Sequence, residues 1–430
     1  MTSPLRIGVA GLGTVGGGLL RLLRQNEESL AARCGRPLQV VAVSARDRSK
    51  ARGLDLSGLR WIDDARALAA DPEVDLVVEL IGGSEGVARE VVETALRRGV
   101  PVVTANKALV AHHGPALARM AEEAGAALAF EAAVAGGIPI IKTLREGLAG
   151  NSVKRVAGIL NGTCNYILST MRQTGREFAD VLGEAQRLGY AEADPAFDVD
   201  GVDAAHKLAL LAAIAFGRQV DFAAVHVEGI RAISATDIAY AEELGYRIKL
   251  LGIAERQEGG ISQRVHPCMI PAAAPLAHVD GVFNAVEVEG DFVGRLTLEG
   301  RGAGAEPTAS AVAADIVDIA RDLRVPTFGL PVAGLAPAAT RPMDSHVGCY
   351  YLRLMVVDRP GVIADVAAAL RDQDISLEAM IQRGRDPGEA VPVVLTTHET
   401  REAQMRRALA RIGELESCLE PPQVIRIETL

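Results

Sequence analysis

Two lysines and a cluster of carboxylates are the residues of this chain best suited to proton chemistry. Lys207 lies in DVDGVDAAHKLALL, with Asp203 four residues before it. That spacing puts both side chains on one helix face. The helix around them is strongly apolar, which argues against an exposed pair, although an ordinary structural ion pair satisfies the same spacing. Lys107, in TANKALV, follows the strand-like VPVVT at 100–104. In open α/β sheets the crevice beyond the carboxyl ends of the strands receives the ligand; a surface lysine at a helix start is the plainer alternative. Upstream of Lys207, LGYAEADPAFDVDG gathers Glu192, Asp194, Asp198 and Asp200 around Pro195. This segment reads either as a solvated acidic loop or as a grip for a substrate ammonium group. A lysine partly withdrawn from water can take and return a proton. A second cation nearby weakens its hold on that proton, and a carboxylate strengthens the hold while anchoring the ammonium. Such a group suits the removal of a hydroxyl proton during alcohol oxidation, or protonation of a carbonyl oxygen in reverse.

A partner for that chemistry is written near the N-terminus. Gly11, Gly13 and Gly16 spell G-x-G-x-x-G, with Leu12, Thr14 and Val15 completing the loop. A strand-like LRIGVA precedes it and a helical LLRLLRQ follows, which is the context the motif requires. The first glycine permits a tight turn, the second lets a pyrophosphate approach, and the third lets helix and strand pack closely. The helix N-terminus adds free N–H groups for phosphate. The second strand, LQVVAVS at 38–44, ends without the acidic residue that usually holds the ribose hydroxyls; Arg46, Arg48 and Lys50 follow. A basic residue there accommodates a 2′-phosphate. NADP is therefore expected, with NAD kept open by Asp47, and with a solvated Arg46 as the alternative.

The elements that must position these residues fall into three groups. Strand-like segments at 5–10, 38–44, 74–81, 100–104 and 127–134 alternate with helical stretches, which predicts an α/β, Rossmann-type doubly wound parallel sheet. After about residue 140 a long helix at 201–216 joins strands at 153–160, 226–230, 281–288 and 291–299 in an α+β domain. A helix at 307–323, with Pro307 and Thr308 near its start, is expected to return to the first domain. Pro326, Pro331, Pro337 and Pro342 mark a linker. Beyond it YYLRLMVVD, RPGVIADVAAALRDQD, ISLEAMIQR, AVPVVLTTH, TREAQMRRALARIGEL and PQVIRIETL follow the βαββαβ order of a ferredoxin-like domain. The expected division is a nucleotide-binding domain at 1–135 completed by 305–325, a substrate domain at 136–304, a linker at 326–347 and a small domain at 348–430.

Composition narrows the class. A chain of 430 residues is too long for one compact core. A net charge of -10 argues against nucleic acid or an anionic membrane as the main partner. Five scattered cysteines without a C-x-x-C pair fit neither a disulfide framework nor a zinc site, so a reducing cytoplasm is expected. The N-terminal MTSPLRIGVAG runs straight into a strand, so no signal peptide is expected. No apolar run reaches the roughly 18 residues of a membrane span.

With these motifs in place, the chain resembles the homoserine dehydrogenases. AQRLGYAEADPAFDVDGVDAAHK is similar to that family's signature, in the order Gly189, Asp194-Pro195, Asp198-Val199, Gly201, Asp203, Lys207. TANK, FEAAVAGGIPI, LNGTCNYI and GRGAGAEPTASAV extend the resemblance over residues 5–345. The resemblance implies NAD(P)-dependent, reversible oxidation of L-homoserine to L-aspartate 4-semialdehyde, within threonine, methionine and isoleucine biosynthesis. It makes Lys207 the proton donor and acceptor and puts Lys107 against both cofactor and substrate. Glu192 and Asp203 would bind the homoserine amine, with Asp198 in support. Gly189 and Gly302 would lie near the cofactor, and Ser84 and Thr104 would line its nicotinamide end. A monovalent cation, sodium or potassium, would sit on Glu131 and the carbonyls of Val134, Gly136 and Ile138. An oxygen-only set suits a hard cation, although Glu131 capping backbone N–H groups is an equally simple role. A homodimer through the middle domain is implied as well.

The 348–430 segment resembles an ACT domain, whose small amino-acid ligand lies near the loop after the first strand. Here that loop holds Asp358, Gly361, Val362 and Ile363. The implied effector is threonine, and pairing of these domains could extend a dimer to a tetramer; a ligand-free dimerisation module is the alternative. No aspartate-kinase segment is present, which points to the monofunctional form. Two rival readings remain open at this point. An aspartate-semialdehyde dehydrogenase needs an activated cysteine and a histidine, for which Cys164 is the one tempting candidate, although a small buried cysteine is the better default. An amino-acid sensor built on a nucleotide-binding scaffold would have no use for Lys107 and Lys207. His112, His113 and His206 are expected to be structural or exposed.

Overall fold

Runs of Val, Ile and Leu too short for helices, apolar on both faces, build a parallel sheet. The computed structural model describes residues 3–383 and 388–430. Strands β1 (Leu5–Ala10), β2 (Leu38–Ser44), β3 (Arg60–Trp61), β4 (Leu76–Glu79), β5 (Val102–Thr104) and β6 (Leu128–Ala129) lie in the order β3-β2-β1-β4-β5-β6. All pair parallel. Helices α1 (Thr14–Gln25), α2 (Glu27–Cys34), α3 (Ala65–Ala70), α4 (Val87–Arg97) and α5 (Lys107–Ala124) connect them. Strand order reverses between β1 and β4, so the ligand crevice opens at the turn after β1. Gly11 makes that turn at φ 113°, and a Cβ there would lie 2.5 Å from the Leu80 carbonyl oxygen. The strand expected at 127–134 is two residues long. It gives way to a 3-10 turn at Glu131–Ala133, where the buried Glu131 carboxylate accepts from the N–H groups of Ile141 and Lys142 instead of continuing the ladder.

The second sheet is mainly antiparallel. Strands β7 (Val153–Ile159), β8 (His226–Val227), β9 (Tyr246–Gln257), β10 (Gly260–Pro271), β11 (Phe283–Gly290) and β12 (Gly294–Arg301) run in the order β12-β11-β7-β9-β10, with the short β8 set parallel beside β10. The hairpin β9–β10, 12 residues a strand, is the longest element pair here and has no counterpart among the expected strands. Helices α6 (Ile140–Lys142), α7 (Gly162–Thr174), α8 (Phe178–Arg187), α9 (Ala196–Val199), α10 (Val202–Phe216) and α11 (Ala235–Glu243) complete this region. Nearly every residue of α10 is buried, which makes it the centre of the core. Helix α12 (Ala305–Ala320) then packs on α1: a Cβ on Gly18 would come within 2.5 Å of the Ala305 carbonyl oxygen, and Val312 and Ile316 share a core with Leu19 and Leu23.

The C-terminal elements are β13 (Val347–Val357), α13 (Val362–Arg371), β14 (Leu377–Gln382), β15 (Ala390–Thr397), β16 (Thr400–Arg401), α14 (Glu402–Gly413) and β17 (Gln423–Ile427). They keep the βαββαβ order, with the two-residue β16 added at the edge of β13. Their sheet is not separate. Strand β17 pairs parallel with β10 through Cys268–Arg426 and Met269–Ile427, so one 11-stranded sheet crosses both regions. Ion pairs close the seam. Arg426 spans Glu228 at 2.8 Å and Glu402 at 2.6 Å, Arg264 holds Glu428 at 2.9 Å, and Arg353 holds Asp237 at 2.7 Å. The proline-rich 326–347 segment is a packed strap. Phe328, Val332 and Leu335 are buried, and the Phe328 ring lies 5.6 Å from that of Phe130. Its prolines hold it to two single 3-10 turns, at Val332–Gly334 and Met343–Ser345, while the apolar residues between them bind it to the surface they cover. Among the described residues no helix is long and apolar enough to cross a membrane.

Candidate active site

Helix α10 carries Asp203 in its first turn and Lys207 one turn later, inside a helix that is otherwise almost wholly apolar. Buried charges need partners, and these two find each other. The Lys207 ammonium donates to Asp203 Oδ2 at 2.7 Å and to the Leu160 carbonyl at 2.7 Å. Lys107, the first residue of α5, reaches across from the nucleotide-binding side to Asp203 Oδ1 at 3.1 Å. One carboxylate thus bridges two lysines from two domains. Asn161 fixes it further. As the cap of α7 its Oδ1 accepts from the Cys164 N–H, which leaves its amide nitrogen to donate to Asp198 and Asp203, both at 2.8 Å. Burial opposes ionisation of Asp203, but the Lys207 and Lys107 ammonium groups outweigh it and hold its carboxyl well below the usual range. Burial wins at Asp198, whose carboxyl is pushed up despite the Asn161 hydrogen bond.

Two spaces meet at Lys107. A cleft of about 570 Å³ is lined by Lys107, Asp198, Asp203 and Lys207, and by Val15, Gly136, Gly189, Tyr190, Asn284 and Gly302. A second space of about 460 Å³ contains Ser84, Asn106, Phe197 and His206, with Lys107 again in its wall. Along the nucleotide-binding domain a cavity of about 910 Å³ is lined by Gly11, Leu12, Gly13, Arg46, Lys50 and Arg52. These residues fit a dinucleotide. Helix α1 has no side-chain cap and no acidic residue in its first turn, where Thr14 stands exposed. A Cβ on Gly13 would meet nothing within 4 Å, whereas one on Gly16 would lie 2.1 Å from the Gly11 carbonyl oxygen. Open room for phosphate and close helix–strand packing are the two demands of the motif.

The acidic segment is dispersed rather than focused. Asp198 faces the cleft, Asp200 pairs with Arg231, and Asp194 caps the Ala196 N–H at 3.1 Å. Glu192 is exposed and does not line the cleft. The Thr104 hydroxyl lies beneath the sheet edge, donating to Glu79 at 2.6 Å. Glu131 accepts from two backbone N–H groups as noted, and burial together with the neighbouring Asp315 pushes its carboxyl up to about 7. The Ile138 carbonyl accepts from the Ile140 N–H at 2.8 Å. Asp358, Gly361, Val362 and Ile363 line a separate cavity of about 330 Å³ beside Gln382. Gly361 opens α13 at φ 98°.

Sequence reasoning passed over Asn161, the Leu160 carbonyl, Arg52 and Asn284. Only Asn161 carried a signal, as an N-cap residue ahead of a helical run. Cys164 is fully buried, its thiol donates to the Asp198 carbonyl, and burial pushes it well above its usual range. It offers no thiolate for a thioester mechanism. His206 stacks on Phe222 at 4.1 Å between ring centroids, with its other edge 3.3 Å from His112. His266, Cys268 and Glu428 also converge, but Arg264 binds both Glu428 oxygens, which makes this cluster part of the ion-pair seam.

Proton exchange without a covalent step, beside a cradle for a redox dinucleotide, defines the class: a nicotinamide-dependent dehydrogenase acting on an alcohol. Comparison with known proteins gives the particular family. The homoserine dehydrogenase family model matches residues 139–317, the homoserine dehydrogenase NAD binding domain matches 11–131, and the ACT domain matches 350–416. Homoserine dehydrogenase of Neisseria gonorrhoeae is 48% identical over 433 residues, covering 99% of each chain. That of Pseudomonas aeruginosa is 46% identical over 434 residues, again covering 99% of each. The crystal structure of a homoserine dehydrogenase from Thiobacillus denitrificans superposes with a TM-score of 0.94 at 50% identity, covering 99% of this chain and 98% of that one. A hyperthermophilic archaeal homoserine dehydrogenase solved with NADPH superposes with a TM-score of 0.64 at 28% identity, covering 76% of this chain and 99% of that one. The chain belongs to the homoserine dehydrogenase family. It is an NAD(P)-dependent oxidoreductase that interconverts L-homoserine and L-aspartate 4-semialdehyde, and it carries a C-terminal ACT domain.

Proposed function

We propose that Lys207 gives and takes the substrate's hydroxyl proton and that Asp203 acts as the anchor for both lysines. The observation that carries this is the Lys207–Asp203–Lys107 bridge in the wall of the cleft. An ammonium has three N–H groups. Two of those on Lys207 are committed to Asp203 and Leu160, and the third is left for the substrate oxygen. The dinucleotide, when bound, supplies the hydride acceptor. Lys107, in contact with both spaces, orients substrate against cofactor. Asp198 and Asp203 form the acidic wall that receives the homoserine amine, and Glu192 joins them only if its loop closes over the cleft. Turnover of Lys207→Met against its cofactor affinity tests the assignment: loss of the first with retention of the second supports it.

The preferred cofactor on this reading is NADP. Asp47, the acidic residue near the end of β2, accepts from the Ser49 N–H and hydroxyl and so serves its own turn. Arg46 and Lys50 line the cavity, and Arg52 is tied to the motif loop through the Leu12 carbonyl at 3.2 Å. A charge-assisted hydrogen bond contributes about 1.5–3 kcal/mol. Arg46→Ala should therefore raise the KM for NADP by roughly 10- to 100-fold and leave that for NAD almost unchanged. Steady-state kinetics with both cofactors reads the difference; an equal effect on both would contradict the assignment.

A monovalent cation is further proposed to bind Glu131 and the Val134, Gly136 and Ile138 carbonyls. Glu131 and Asp315 are both buried, with Lys142 3.4 Å from Asp315 as the nearest compensating charge. Each carboxylate oxygen of Glu131 keeps a lone pair beyond its backbone hydrogen bond. A carboxyl raised to about 7 makes the folded state bind more protons than the unfolded one between about pH 4.5 and 7, so stability falls as pH rises through that window. A bound cation offsets this. At about ten times its Kd, sodium or potassium should add roughly 1.4 kcal/mol at pH 8 and much less at pH 5.5. Glu131→Gln should abolish the difference, as read by thermal unfolding with choline as the control salt. Threonine is the proposed effector at the cavity lined by Asp358, Gly361, Val362 and Ile363. The enzyme is further proposed to be a cytoplasmic homodimer or homotetramer, with no nucleic-acid or membrane partner.

A further inference from the structure

We infer that Asn284 recognises the carboxamide of the nicotinamide ring. This rests on the proposal above that Lys207 exchanges the substrate proton beside a bound dinucleotide, which puts the nicotinamide ring at the same cleft. Asn284 stands on β11 opposite Gly300 of β12. It is 1% exposed, it lines the cleft, and neither its amide nitrogen nor its amide oxygen has a hydrogen-bond partner. The other buried asparagines are engaged at both atoms. Asn106 donates to the Gly83 carbonyl and accepts from the Leu109 N–H. Asn161 holds Asp198 and Asp203 and caps α7. Asn165 donates to two carbonyls and accepts from Lys249. Leaving a buried carboxamide unpaired costs stability, so it persists where a ligand completes it.

The surroundings make room for that side chain. A Cβ on Gly302 would lie 2.2 Å from the Asn284 amide carbon and nitrogen, and one on Gly162 would lie 3.3 Å from its oxygen. Glycine at 302 is therefore a condition for the carboxamide to sit where it does. Its chemistry then selects the ligand group. It presents one donor and one acceptor side by side. A carboxylate would leave the amide oxygen facing another acceptor, and an ammonium would leave the amide nitrogen facing another donor. A primary carboxamide satisfies both atoms reciprocally, and the nicotinamide ring carries one. The amine and hydroxyl of homoserine are matched by the aspartates and lysines elsewhere in the same cleft.

Calorimetric titration of the full-length protein tests this with three probes: NADP, its acetylpyridine analogue, which lacks the amide N–H donor, and the adenosine bisphosphate fragment, which lacks the ring. The wild type should bind NADP about tenfold more tightly than the analogue. Asn284→Leu, near in shape, and Asn284→Ala should bind both with one weaker affinity, while the fragment binds as in the wild type. Asn284→Leu should also unfold at the wild-type temperature or above, because no internal hydrogen bond is lost; a lowered midpoint would make Asn284 a structural residue and overturn the inference. Persistence of the discrimination in Asn284→Leu, or a rise in the homoserine KM alone, would overturn it too. If the wild type binds NADP no better than the fragment, the ring is not seated in the cleft, and the reading beneath the inference fails instead.

Discussion

Lys207→Met lowers the turnover of L-homoserine by about 10²- to 10⁴-fold while its affinity for NADP stays close to that of the wild type. The thioether fills the same channel without a proton to exchange, so the loss falls on the chemical step. Lys207 does not line the cavity at the glycine motif, where the phosphates and adenosine of the dinucleotide would be held, which is why most of the cofactor affinity should survive. Lys107 cannot substitute. Its side chain is 31% exposed against 10% for Lys207, and it meets Asp203 through the other carboxylate oxygen, from the far wall. Steady-state and pre-steady-state reduction of NADP, compared with binding by calorimetry, separates the two effects.

Asp203→Asn is the second large effect, and it falls on stability and rate together. The substitution leaves two ammonium groups at a site where their shared anion was, and removing one partner of a buried pair costs about 3–5 kcal/mol. Because the lysines lose their common anchor, a fall in kcat of about 10²-fold is expected from misplacement alone. The pH dependence of stability changes in a defined direction. The folded carboxyl is held below its unfolded value of about 3.9. Such a group contributes stability that is complete above the unfolded value and is lost as pH falls through the folded one. The wild type should therefore lose this contribution from about pH 4 downward, and Asp203→Asn should show a flatter profile there. Urea unfolding at a series of pH values measures both the offset and the slope.

The pattern of legibility in the sequence follows the range of the interactions. The turn at Gly11–Gly16 and the face shared by Asp203 and Lys207 were readable because local spacing sets them. The contact of Lys107 with Asp203 spans two domains and is not carried by spacing; the family resemblance put both residues at the substrate without pairing them. The β9–β10 hairpin went unread because β10 is buried at all but its terminal residues, which erases the two-residue alternation that marks a half-buried strand. The pairing of β17 with β10 depends on the register between two distant segments, which periodicity does not carry. The carboxylates around Pro195 looked like one cluster because they are close in sequence. Folding sends Asp200 to Arg231 and Asp198 to Asn161, since a tight turn points neighbouring side chains apart. Asn284 showed no signal at all: a polar residue in VFNAVEV reads as an ordinary strand position until its missing partners are seen in three dimensions.

Chemical rescue of Lys207→Ala by small primary amines tests the central claim most directly. The assay follows homoserine-dependent formation of reduced nicotinamide as methylamine is added. If Lys207 carries the proton, the amine enters the vacated space and rate rises with its concentration, with amines of differing basicity ranking by their proton affinity. If Lys207 serves only to hold Asp203 in place, the alanine variant responds no differently to amines than to equal concentrations of potassium, and proton transfer must be assigned elsewhere.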